Sequence, residues 1–144
     1  MEKNLEFFRQ NDLFARHCGI ELLDGKPGWA RAKMEIKPFH LNGAKTVHGG
    51  AIFSLADFTF AVAANSQGQL ALAISTNMSF VKAAYAGTLY AEAEELSINR
   101  KLGTYQVRII DEKQQLIAQF HGTAFRKENA LFPAETTSSN EGDK

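Results

Sequence analysis

The sequence predicts an α+β fold in which a curved antiparallel sheet wraps one long central helix. Three observations carry that prediction. Residues 47–66 form the longest apolar run, and Asp57 is the only acidic residue between His48 and its end. Ile52, Phe53, Leu55, Phe58, Phe60 and Val62 fall on nearly every side of a 3.6-residue wheel, so this helix is expected to be buried all round. The segments after it alternate apolar and polar residues and are joined by short connections, which favours antiparallel neighbours. A helix apolar on most sides needs cover on most sides, and a sheet curved around it is the simplest way to supply that.

The elements follow in order. Residues 3–16 read as an N-terminal helix, with Leu5, Phe8, Leu13 and Phe14 in an irregular apolar stripe and Gly19 as its terminator. A short strand at 19–23 leads to a turn over Asp24-Gly25-Lys26-Pro27-Gly28. From Trp29 to Ile36, Ala30, Ala32, Met34 and Ile36 alternate with Arg31, Lys33 and Glu35, the pattern of a strand with one wet face. A loop over 38–46 contains the turn pair Asn42-Gly43 and delivers the chain to the central helix. That helix is expected to end near Asn65, with Gly68 as breaker.

Four strands then follow, over 71–81, 88–98, 104–110 and 116–125, read as a meander. In the second of them the adjacent Glu94-Glu95 break the alternation, which predicts a bulge. The domain is expected to span 1–127, with the N-terminal helix inside 1–18. Residues 128–144 are read as a disordered tail, because residues 135–144 hold no large apolar side chain.

Composition narrows the class. A chain of 144 residues makes one domain or one domain plus tails. Sixteen basic and sixteen acidic residues cancel, so no electrostatic footprint for nucleic acid or an anionic membrane is present. Ser54, Asp57, Thr59 and Asn65 interrupt the apolar run, which argues for a core helix over a membrane span. One cysteine, Cys18, and a charged, mixed N-terminus fit a cytoplasmic protein. His17, His40 and His121 lack metal-ligand spacing, so no metal is expected.

The central helix also carries the candidate chemistry. Its start at Gly49-Gly50 leaves backbone N–H groups without helical partners, and glycine lets a carbonyl approach them. A lone carboxylate in an apolar run costs several kcal/mol unless it has a partner or a purpose. Gly49 and Asp57 are eight residues apart, about 12 Å on one helix at ~1.5 Å per residue. They cannot both touch one reacting carbon. A second, antiparallel copy of the helix could bring its Asp57 to the first copy's N-terminus, so a working site is expected to need two chains.

The pattern of Asn42, then His48-Gly49-Gly50, then Phe53-Ser54-Leu55-Ala56-Asp57, then Asn65-Ser66-Gln67-Gly68, resembles the hotdog-fold thioesterases of the phenylacetic acid degradation type. The resemblance runs over roughly 10–127 and continues through Phe80 and Ala86-Gly87-Thr88-Leu89. It departs at Ala83-Ala84, where the family commonly has a proline, and at Thr88, where it commonly has an acidic residue.

The resemblance implies a hotdog fold and hydrolysis of an acyl-CoA, of phenylacetyl or hydroxyphenylacetyl type, to the free acid and coenzyme A. It also implies a homodimer or homotetramer with sites at the dimer interface, and coenzyme A entering only as part of the substrate. In such a site the Gly49 amide binds the thioester oxygen, with Gly50 beside it against the substrate, and Asp57 of the other chain acts as base or nucleophile. Asn42 positions water or the carbonyl, and His48 orders the loop or polarises the carbonyl. A hydroxyl at Ser75 or Thr76 steadies Asp57 or the water.

Lys82, Arg100 and Lys101 stand in connections where they could meet the phosphates of coenzyme A. The plainer alternatives are a loop histidine at 48 and a turn-shaping Asn42. Rival functions are a hydratase or dehydratase acting on acyl thioesters, and a non-catalytic acyl-CoA-binding protein.

Overall fold

A computed structural model describes residues 1–131. Two short helices, α1 (Glu2–Asn11) and α2 (Leu13–His17), precede β1 (Ile20–Lys26) and β2 (Trp29–Glu35). A 3-10 turn (Pro38–His40) opens the loop to α3 (Gly49–Ala64). Then come β3 (Gln69–Phe80), β4 (Thr88–Ile98), β5 (Leu102–Ile110) and β6 (Leu116–Ala130). All six strands form one antiparallel sheet in the order β1-β2-β4-β5-β6-β3, open at both edges. The α+β hotdog architecture is as expected from sequence.

The concave face of the sheet is small-residue ground on which α3 lies. Ala30, Ala32 and Met34 of β2 and Ala91 and Ala93 of β4 are fully buried, as are Val107 and Ile109 of β5. Alanines there let the helix axis come close. At β6 the same end is served by Gly122: a Cβ on it would stand 3.0 Å from the Phe60 ring. Phe60 fills that space and meets Tyr105 and Phe120, each at 5.5 Å between ring centroids, an aromatic cluster joining helix to sheet. Asn65 closes the helix. Its Nδ2 donates to Ala61 O and its Oδ1 accepts from Ala71 N–H, which turns the chain directly into β3.

Several expectations need correction. The N-terminal helix is two helices, because the Asp12 side chain accepts the Ala15 N–H at 3.0 Å and caps a new start. The turn is confined to Pro27-Gly28. Asp24, Gly25 and Lys26 stay in β1, which absorbs an irregularity between Leu22 and Asp24.

The last four strands are not a meander. Only β4-β5-β6 run consecutively, and β3 pairs with β6 at the far edge. The helix crosses the sheet before β3 begins, so β3 is set down on the opposite side from β4. The bulge in β4 is present, between Glu95 and Ser97. Strand β6 continues past Phe125 to Ala130, paired with Gln69, and Leu131 N–H donates to Gly68 O at 2.7 Å. Residues 128–130 therefore belong to the sheet, because the β3 edge continues to offer partners whatever the side chains. The remainder of the expected tail, residues 132–144, lies outside the described residues.

The helix is not buried all round. Gly50, Phe53, Ser54, Asp57 and Ala61 form one stripe along α3 that is exposed or half-buried, while Ile52, Leu55, Ala56, Phe58, Thr59, Phe60 and Val62 are buried. The edge strand beside it is unusual as well. Residues 72–77 of β3 are exposed on both faces, and the large apolar side chains of Leu72, Ile74, Phe80 and Val81 are exposed.

Candidate active site

The loop before α3 is held by its own polar groups. Asn42 Oδ1 accepts from the N–H groups of Ala44 (2.9 Å) and Thr46 (3.1 Å), and its Nδ2 donates to Thr46 Oγ1 at 2.9 Å. Lys45 takes φ +62° within this tight loop. Asn42 thus shapes the turn and keeps one side-chain N–H for another partner.

His40, buried between loop and helix, accepts the Lys37 N–H on Nδ1 (2.9 Å), and its Nε2 bonds Cys18 O at 2.7 Å. Its carbonyl accepts the His48 N–H at 2.7 Å. The loop is therefore pinned to the end of α2 by a histidine whose sequence neighbours announce nothing of the kind.

His48 is the N-cap of α3, with φ −59° and ψ 134°. Its Nδ1 accepts the Gly50 N–H at 2.8 Å, and its carbonyl accepts from Ala51 and Ile52. This leaves Nε2 as the ring's donor and uses up the Gly50 amide. The Gly49 N–H has no acceptor among the described residues. Of the two glycines, Gly49 is the one with a free amide at the positive end of the helix. A Cβ on Gly49 would stand 3.2 Å from the Phe80 ring, so that ring at the end of β3 walls the amide. Phe80 was legible as a strand residue; its place over Gly49 follows from β3 lying on the far edge.

Asp57 sits two helical turns further along the uncovered stripe. It has no hydrogen bond or ion pair among the described residues. Burial raises its carboxyl above the ordinary value, and the negative charge of Asp12 raises it further. That proximity to the Asp12 charge was invisible in the sequence, because it depends on how α1 and α2 fold back against α3.

Ser75 and Thr76 face opposite sides of the sheet. Thr76 pairs with Gly122 and Met78 with Phe120, so 76, 78 and 80 share the helix-facing side. Ser75 pairs with Thr123 and faces the other way.

The three cations separate. Lys82 donates to Gln115 Oε1 in the β3-β4 connection, two residues from Ala84, whose carbonyl accepts Val47 N–H just before the helix. Arg100 and Lys101 sit in the β4-β5 connection, next to Arg126 and Glu128, at the end of the sheet where α3 finishes. Arg100 there meets Glu128 at 3.3 Å. One chain therefore brings together Asn42, His48, Gly49, Gly50 and Phe80, with Lys82 nearby. Asp57 lies further along the helix, and Arg100 and Lys101 lie at the opposite end.

Among the described residues no three His, Cys, Asp or Glu side chains gather as metal ligands, and no helix is long and apolar enough to cross a membrane.

Comparison with known proteins identifies the family. The model of the thioesterase superfamily matches residues 44–118, the span from the loop before α3 into β6. A candidate esterase of Archaeoglobus fulgidus is 41% identical over 134 residues, 92% of this chain and 86% of that protein. The acyl-coenzyme A thioesterase PaaI of Escherichia coli is 35% identical over 125 residues, 86% of this chain and 89% of that protein. The structure of E. coli PaaI, described as a protein of the phenylacetic acid degradation operon, superposes with a TM-score of 0.86 at 34% identity, covering 89% of this chain and 94% of that one.

Proposed function

We propose a substrate and a site for a chain that belongs to the thioesterase superfamily and is a thioester hydrolase. The substrate is an acyl-CoA whose acyl group is of aryl-acetyl type, phenylacetyl or hydroxyphenylacetyl. Support comes from the E. coli relative, an acyl-CoA thioesterase tied by its description to phenylacetic acid degradation. The observation that carries the site is the pairing on one helix of a free Gly49 amide with an unpartnered, half-buried Asp57 that is too far along to reach it.

The site is completed by a second copy of the chain. The uncovered stripe of α3 and the free apolar edge of β3 lie where an antiparallel copy would cover them. Its Asp57 then faces the first chain's Gly49, and Arg100 and Lys101 of the partner subunit move from the far end toward the phosphates of coenzyme A.

Gly49 N–H stabilises the oxygen as the carbonyl carbon becomes tetrahedral. Asp57 takes a proton from water as the water oxygen bonds to that carbon. The C–S bond then breaks and thiolate leaves with little acid help, so no metal or further cofactor is needed. A carboxyl raised by burial is a better base than an ordinary one. Thr76 and Asn42 orient the water and carbonyl, and His48 presents Nε2–H beside them. The assembly is a dimer or a tetramer built from such dimers, and the compartment is the cytoplasm.

The test is thiol release from phenylacetyl-CoA by wild type, Asp57→Ala and a 1:1 mixture of Asp57→Ala with Gly49→Pro. In a two-chain site, random re-pairing gives each mixed dimer one intact site, so the mixture recovers about a quarter of wild-type activity, while Asp57→Ala alone and Gly49→Pro alone each stay about 10²-fold or more below wild type. No recovery after subunit exchange would exclude the two-chain site. Undiminished turnover by Asp57→Ala would exclude Asp57. A hydratase would release no thiol.

A further inference from the structure

Beside the N-terminus of α3, on the side away from the sheet, lies an apolar cleft of about 200 Å³. Gly50 and Ser54 line it, and these are the first residues of the stripe that continues to Asp57. Cys18 and Leu41, both half-buried, line it as well. Phe14 from α2 and Phe39 from the 3-10 turn stand at its mouth, 63% and 66% exposed.

Phe39 lays part of its ring on His40, 4.2 Å between centroids, yet most of both aromatic side chains, on opposite elements, stands in water around one small hollow. Phe14 lies on the solvent side of a five-residue helix whose only buried residue is Ala15. The hollow begins at the residue after the free Gly49 amide, so an acyl chain whose carbonyl oxygen is on that amide has its first carbons at the hollow's edge.

We infer that this cleft is the acyl-selecting pocket, and that Phe14 and Phe39 are the residues that select an aromatic acyl group. The inference rests on the thioesterase site proposed above and adds to it where the acyl group goes. It also assigns a division of labour. The chain that supplies the oxyanion amide supplies the acyl pocket, and its partner supplies the carboxylate.

Size supports the match. A dry apolar cavity of about 150 Å³ takes up benzene. A cleft of about 200 Å³ holds one ring and the methylene that joins it to the carbonyl. The lining is mostly apolar, with His17, His40 and His48 also bordering it; both His40 ring nitrogens are bonded and Ser54 Oγ is committed to Gly50 O at 2.7 Å, so neither opposes a phenyl ring there. Rings at the mouth can meet the ring of the substrate edge-on or offset.

The readout is the ratio of kcat/KM for phenylacetyl-CoA to that for acetyl-CoA, taken for wild type, Phe14→Ala and Phe39→Ala. Removing one wall of an apolar pocket is expected to lower that ratio about tenfold in each variant. Both side chains are exposed, so the variants are expected to fold, and circular dichroism checks it. A second measurement does not depend on turnover. Phenylacetyl-CoA held by the Asp57→Ala chain is expected to slow alkylation of Cys18 by iodoacetamide, and acetyl-CoA is not.

An unchanged ratio in both variants, or equal alkylation of Cys18 with either ligand, would overturn the inference while wild-type hydrolysis left the thioesterase site standing. A change of oligomeric state in Phe14→Ala would also overturn it, because it would assign the aromatic mouth to a contact between subunits.

Discussion

Replacing Gly49 by proline removes one hydrogen-bond donor from the site and changes little else. Gly49 is the first residue of α3, the position where a helix leaves the N–H unpaired and where proline fits the backbone best. His48, with φ −59° and ψ 134°, already has the extended conformation that a residue preceding proline requires. The one crowded contact is Phe80, 3.2 Å from where a Cβ would stand, and that side chain is at an exposed strand end where it can turn aside.

Gly49→Ala brings the same Cβ and keeps the N–H, so it measures the crowding alone. The difference between the two variants then reads the amide. Loss of one oxyanion donor costs about 10²–10³ in kcat, or about 2.7–4 kcal/mol of transition-state stabilisation. Steady-state thiol release with phenylacetyl-CoA measures it, and thermal unfolding confirms that both variants keep the fold. Equal kcat for the alanine and proline variants would refute the assignment of Gly49 N–H as the oxyanion donor.

Three other outcomes are expected. Because burial and then Asp12 hold the Asp57 carboxyl above its ordinary value, and the working form is ionised, the acid limb of the kcat/KM profile lies above the usual carboxylate range; Asp12→Asn moves that limb to lower pH. The same raised value affects stability. Asp57 contributes fully below its unfolded-state pKa, and that contribution is lost as pH rises through the folded-state pKa, so Asp57→Asn raises Tm at neutral pH and the gain disappears in acid. Thr76→Val lowers kcat while Ser75→Ala does not, since only position 76 faces the helix side; equal effects from the two would contradict the register with β6.

Sequence periodicity was enough for the type of each element because period and burial are the same fact read twice. Ala30, Ala32 and Met34 alternate in the chain and lie fully buried in β2, and the phase break at Glu94-Glu95 is the bulge in β4. Helix α3 was equally plain from its apolar run. Local polarity also marked Asp57, His48 and the two glycines as a group, since a carboxylate in an apolar helix and a glycine pair at its start both demand a reason.

Which strand lies beside which was not legible in the same way. A strand's pattern records which face is buried and not which neighbour it pairs with, so the placement of β3 next to β6 came only from the fold. With it came Phe80 over Gly49, and the separation of Thr76 from Ser75.

The helix made the same division. Its composition determined that it would be the core and that Asp57 would be out of place in it. Only the packed structure decided that one stripe, from Gly50 through Ser54 and Asp57 to Ala61, is left without cover. Composition counts apolar residues around a wheel, whereas cover depends on how far the sheet curves and where α1 and α2 settle. Likewise, both glycines offered an amide on paper, and a contact from the His48 ring took one and left Gly49 free.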